Sequence, residues 1–98
     1  MTQMRIKNYK AALDSSYRAL KIMLNSYGEL SEETAVCYRI TGLVWISMGN
    51  KKIALHNCQQ ALDIRTKVYG EAHDLTEESW NDVFTIRNGV AFVIEQTY

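Results

Sequence analysis

Outside the carboxylates, only four side chains of this 98-residue sequence are of metal-ligating type: Cys37, His56, Cys58 and His73. A zinc site needs several ligands brought together at close spacing. His56 and Cys58 stand two apart, and on a helix that spacing points them to different faces. A Cys–His nucleophile pair would also need an orienting partner and an oxyanion site, and no motif supplies either. Cys58 therefore reads as a core residue, because free cysteine is among the most buried residue types. No phosphate-cradling loop is written here either, since Gly42, Gly49, Gly70 and Gly89 are spread singly. The expectation is a protein that is not an enzyme and carries no metal or cofactor.

The elements that hold these residues come from the pattern of the whole chain. It contains no proline and five glycines, which favours long helices over a loop-rich fold. Shifting the sequence against itself by 42 residues, without a gap, gives eleven identities over the 27 positions from 8 to 34. Among them are Ala12/Ala54, Leu13/Leu55, Ala19/Ala61, Leu20/Leu62, Ile22/Ile64, Tyr27/Tyr69 and Gly28/Gly70. Internal repetition at such a period is the signature of a stacked repeat architecture.

Each copy also has a helical period. Leu13, Tyr17, Leu20, Leu24 and Tyr27 make one stripe, and Ala54, Cys58, Ala61, Arg65 and Val68 make its counterpart. Gly28 and Gly70 follow, where a helix C-cap needs a residue without Cβ. Between the copies, Ser31 can cap a helix whose first turn holds Glu32 and Glu33. Its body, 35–48, is apolar on nearly every side, as expected of a helix sandwiched between neighbours. Gly49-Asn50 makes the next turn. Asp74 with Glu77 reads as a capping box that opens a last helix through Trp80, Val83, Phe84 and Ile86. The run Val90-Ala91-Phe92-Val93-Ile94 leaves helix, strand and frayed tail all open. Short connections make consecutive helices antiparallel, so the fold class is all-α, a helix-hairpin solenoid of about four to five helices.

Charge excludes some partners and suggests another. Eleven basic residues balance eleven acidic ones, so neither nucleic acid nor an anionic membrane is indicated. The distribution is uneven. Residues 1–28 hold Arg5, Lys7, Lys10, Arg18 and Lys21 against Asp14 alone, whereas 71–82 hold Glu71, Asp74, Glu77, Glu78 and Asp82 with no Lys or Arg. Solvated helix faces and acids near helix starts account for this, and so would a head-to-tail charge match between copies or with a partner. No apolar run is long enough to span a bilayer, two cysteines make no disulfide framework, and the basic start has no signal-peptide core, so a cytoplasmic location is expected.

The segment Tyr38-x2-Thr41-Gly42-x2-Trp45, followed by Ala54, Cys58 and Ala61, resembles the tetratricopeptide repeat. Together with the 42-residue period, Ala61-Leu62-Asp63-Ile64-Arg65 and Tyr69-Gly70-Glu71-Ala72-His73 are similar to the subtype found in kinesin light chains. The resemblance runs from residue 8 to about 84. It departs at Thr41 and Cys58, which replace larger apolar residues, and at Asp74, where the subtype has proline. It implies one domain over 1–98 with a right-handed superhelix. Residues 1–28 are then the second helix of a partial repeat, 31–70 a complete repeat, and 74–98 a degenerate partial repeat. About three repeats are normally needed for stability, so a longer array or a degenerate product is expected.

The resemblance also implies a site. In such proteins the first helix of each pair lines a concave groove for an extended peptide. By position the groove residues are Val36, Arg39, Leu43, Ile46 and Ser47. Arg39 replaces the subtype's asparagine, which Asn81 keeps in the last repeat. Arg39 is suited to clamp a carboxylate or phosphate, or to be paired internally; Leu43 and Ile46 are equally readable as core. The leading expectation is a scaffold that binds a peptide or partner domain. The alternatives are homo-oligomers formed through uncapped repeat ends, or a regulatory helical part of a larger enzyme or signalling protein.

Overall fold

The computed structural model describes residues 2–89, and the side chains of 9–89. These form four helices: α1 (Thr2–Tyr27), α2 (Glu32–Ser47), α3 (Lys51–Tyr69) and α4 (Asp74–Asn88). The fold is all-α, and each helix packs on its neighbours along the chain, hairpin against hairpin. The segment 90–98, for which helix and strand were both open, lies outside the described residues.

Local chemistry sets the helix ends. The backbone N–H of Thr34 donates to the Ser31 hydroxyl at 3.1 Å, and that of Ile53 donates to the Asn50 side-chain oxygen at 3.1 Å. Both satisfy N–H groups that a first turn leaves without partners. Gly28, Gly49, Gly70 and Gly89 all have positive φ, and those of Gly28 and Gly70 are 83° and 88°. The chain turns there without the steric cost a side chain would bring. The start of α4 corrects the expected capping box. His73, not Asp74, is the cap: its Nδ1 accepts from the Leu75 N–H at 3.0 Å. The same ring stacks on Tyr69 with centroids 4.2 Å apart, which fixes it where an Asp74 carboxylate would otherwise have been wanted.

Small residues let the helices approach. Ala35, Ala54 and Ala61 are fully buried and Cys58 nearly so. At Gly42 an added Cβ would lie 2.5 Å from Cys58 Sγ and 3.0 Å from the Ala54 carbonyl oxygen, so α2 meets α3 through a residue with no side chain. Around this contact Cys58, Val83 and Ile86 form a core cluster with Ala54, flanked by Trp45, Ile46, Leu55 and Leu62. Thr41, Asn57 and Ser16 are buried polar residues that donate to carbonyls one turn back, and among the described residues no buried side-chain N or O lacks a partner. α2 is less enclosed than its composition suggests. It buries its small residues, while Ile40 is exposed.

Candidate interaction surfaces

The four side chains with metal-binding or nucleophilic character do not converge. His56 is exposed, whereas Cys58 is buried two residues later. Burial, with a smaller contribution from Asp82, pushes the Cys58 thiol up to about 12, against a small opposing pull from Arg39. Burial also raises the Cys37 thiol. Both thiols are therefore held protonated near neutral pH, the form that does not attack or ligate. Both cysteines are free. Among the described residues no group of three His, Cys, Asp or Glu side chains is placed to hold a metal ion.

The residues expected to line a peptide groove divide into three kinds. Arg39 reaches across from α2 to α4, where its Nε sits 2.5 Å from Asp82 Oδ2 and its terminal nitrogen 3.7 Å from Glu78. The guanidinium suited to a ligand's carboxylate clamps two carboxylates of its own chain. Ile46 packs against the core cluster, and Val36 and Leu43 are half-buried. Ser47 and Asn81 are exposed, but Ser47 donates to the Leu43 carbonyl while Asn81 borders a different groove, between α3 and α4.

That second groove is a sizeable concavity. It holds about 660 Å³ and is lined by Leu62, Asp63, Thr66, Glu77, Trp80 and Asn81, among others. Beside it, Trp80 is 55% exposed and stacks on Phe84, itself exposed, with centroids 5.7 Å apart. Two aromatic rings left in water at the rim of a groove of ligand-site size are unlike a scattered surface apolar residue. A smaller groove of about 220 Å³ opens between α1 and α2, lined by Ser15, Ser16, Ala19, Cys37 and Ile40. Ile22 on α1 is 56% exposed. Its repeat partner Ile64 is buried, although both close an Ala-Leu-x-Ile segment.

One polar centre escaped the sequence reading. Arg65, in the otherwise apolar stripe of α3, has its side chain 2% exposed. It donates to both oxygens of Glu32 on α2, at 3.2 and 2.7 Å. It also donates to the Leu75 carbonyl, to Glu78 and to the Ser79 hydroxyl at 3.1, 3.0 and 2.9 Å, so it ties three helices. Burial alone would pull its pKa down, but the bonds to Glu32 and Glu78 outweigh that and hold it above the ordinary value. The available signal was an arginine at a core position of a helical stripe, which requires acidic partners to be buried.

The two open grooves and the Arg65 tie are properties of a small helical unit with known relatives. The chain is similar to the clustered mitochondria protein homolog of Culex quinquefasciatus, 32% identical over 74 residues, which is 76% of this chain. It is similar to the corresponding homolog of Aedes aegypti at 31% over 74 residues. No family model and no solved structure matches the chain. The chain spans about 5% of the length of each of these two relatives.

Proposed function

We propose that this chain is a non-catalytic protein-interaction scaffold of tetratricopeptide type. In this reading α1 and α3 are second helices of their repeats, and α2 and α4 first helices. The observation that carries it is the exposed Trp80–Phe84 pair at the α3–α4 groove, since aromatics are enriched among the anchors of protein contacts. The relatives' name refers to clustered mitochondria, and a part in that process, on the cytoplasmic side, is the setting we infer for the scaffold. Among the described residues no helix is long and apolar enough to cross a membrane, which is compatible with that setting. Peptide docking on the α2–α4 face, through Val36, Leu43 and Ser47, is the second reading; its support is the half-exposed apolar surface there, with Arg39 acting as a strut.

The test is selection of short peptides from a random display library, followed by amide NMR mapping of the binders. The proposal expects saturable binders whose shifts cluster on the groove at Leu62, Thr66 and Trp80. Trp80→Ala should weaken them by about thirtyfold, the cost of losing an aromatic anchor. Failure to enrich any binder refutes the scaffold reading, and shifts confined to α2, at Val36, Leu43 and Ser47, would move the site to the α2–α4 face.

A further inference from the structure

The 42-residue repeat sets Ser31 and His73 at the same position, and each is the N-cap of the helix that follows it. The two caps differ in chemistry. The Ser31 hydroxyl accepts from the Thr34 N–H at 3.1 Å, and a hydroxyl neither gains nor loses charge in ordinary buffers. His73 accepts from the Leu75 N–H through Nδ1 at 3.0 Å. A ring nitrogen accepts only while it carries no proton, so this bond selects the neutral imidazole with its proton on Nε2. α2 therefore has a permanent cap, and α4 has one that a single proton removes.

We propose that His73 is a pH-operated cap: proton uptake at Nδ1 breaks its bond to the Leu75 N–H and loosens the connection between α3 and α4. Two forces act on the charged ring. Its new N–H faces the start of a helix, where the positive end of the helix dipole repels a cation. The neighbouring charges draw it the other way. Its own segment carries Glu71, Asp74 and Glu77. From the helices packed there come Tyr69, Arg65 and Lys67 of α3, and Glu32 and Glu33 of α2, which act on Tyr69. Arg65 is already bound to Glu32 and Glu78, whereas Glu71, Asp74 and Glu77 form no ion pair among the described residues. They are the partners a charged ring would turn to. A half-turn about the Cβ–Cγ bond keeps the ring stacked on Tyr69 and carries Nδ1 away from α4, so the exchange leaves that contact in place.

The release is local. Arg65 donates to the Leu75 carbonyl, to Glu78 and to the Ser79 hydroxyl, and the Thr76 hydroxyl donates to the Arg65 carbonyl at 3.1 Å. Those bonds hold α4 to α3 from Leu75 onward whether or not the cap is made. What the proton frees is the entry to the helix, His73 and Asp74 with the Leu75 N–H. The inference is independent of what the α3–α4 groove binds.

Amide NMR of the isotope-labelled chain, titrated from about pH 8 to about pH 5, tests this, because an imidazole changes charge within that span. The expected result is a Leu75 resonance that moves with the same midpoint as the His73 ring carbons. Exchange protection at Leu75, corrected for the intrinsic effect of pH, should fall about fivefold, the effect of one lost N-cap. The Thr34 amide, capped by Ser31, should not follow that midpoint. His73→Ser, which copies the cap of α2, should abolish the response at Leu75. His56→Gln removes the other histidine, exposed on α3, and should leave the response unchanged. A Leu75 resonance that stays fixed while the His73 ring titrates overturns the proposal. So does a ring that takes up no proton by about pH 5, or a response with the same midpoint that survives in His73→Ser. The parent titration alone decides the matter if a substitution is not tolerated.

Discussion

Replacing Arg65 by alanine removes five hydrogen bonds from one buried guanidinium and leaves Glu32, Glu78, Ser79 and the Leu75 carbonyl to find other partners. Breaking a buried ion pair from one side costs about 3–5 kcal/mol. Here the carboxylates can partly rehydrate, because the Glu32 and Glu78 side chains are 27% and 45% exposed, and Arg39 remains near Glu78. The lower end of that range, about 3 kcal/mol, is therefore expected. A chain of this size loses roughly 4–8 °C of Tm per kcal/mol, so melting should fall by roughly 12–24 °C. Against a total stability of about 5–15 kcal/mol this is a large share. Arg65→Lys keeps the charge but not the fork, and should recover only part of the loss. The assay is urea unfolding followed by circular dichroism, with Arg39→Ala, on a partly exposed pair, and Arg18→Ala, on an exposed one, as comparisons. Losses should rank Arg65 above Arg39 above Arg18. A loss below about 1 kcal/mol for Arg65→Ala would refute the view that this residue ties the three helices.

Gly42→Ala should destabilise by about 1–3 kcal/mol through overpacking against Cys58 and the Ala54 carbonyl. Cys58→Ala in the same chain should return part of that loss, measurable as a coupling energy in a double-mutant cycle. Ser31→Ala should cost about 1 kcal/mol by freeing the Thr34 N–H, read as a shift in the urea midpoint. The buried thiols predict a pH dependence. Because the folded Cys58 pKa of about 12 lies above the ordinary 9.0, the unfolded chain ionises first, and stability contributed by this group falls as pH rises from about 9 towards 12. Below that window it contributes no slope. Iodoacetamide labelling of native protein at pH 9, followed by mass spectrometry, should accordingly modify Cys58 only at the rate of unfolding, and rapid labelling would contradict its burial.

Much of the fold was legible because it repeats. A gapless shift of 42 residues places α3 against the later part of α1 and α4 against α2, and Ser31 and Asn50 are caps of the expected type. The start of α4 was misplaced by one residue because histidine is an unusual cap, and its stacking on Tyr69 is a contact that no propensity encodes. The surfaces were harder to read. Ile22 and Ile64 both close an Ala-Leu-x-Ile segment yet differ in exposure, since burial depends on which helix lies opposite rather than on period. Arg39 and Asn81 occupy equivalent positions, but Arg39 finds Asp82 and Glu78 on α4, and Asn81 borders the α3–α4 groove instead. Arg65 lay within the apolar stripe, and its acids, Glu32 and Glu78, looked like ordinary helix-start charges.

The most direct test of the central claim, that the open α3–α4 groove is where this scaffold is bound, is amide NMR of the isotope-labelled chain on titration with display-selected peptides. The account predicts saturable shifts centred on Leu62, Thr66 and Trp80, weakened by Trp80→Ala while the helices stay intact. Shifts that map to the α2–α4 face, or binding unchanged by Trp80→Ala, would contradict it.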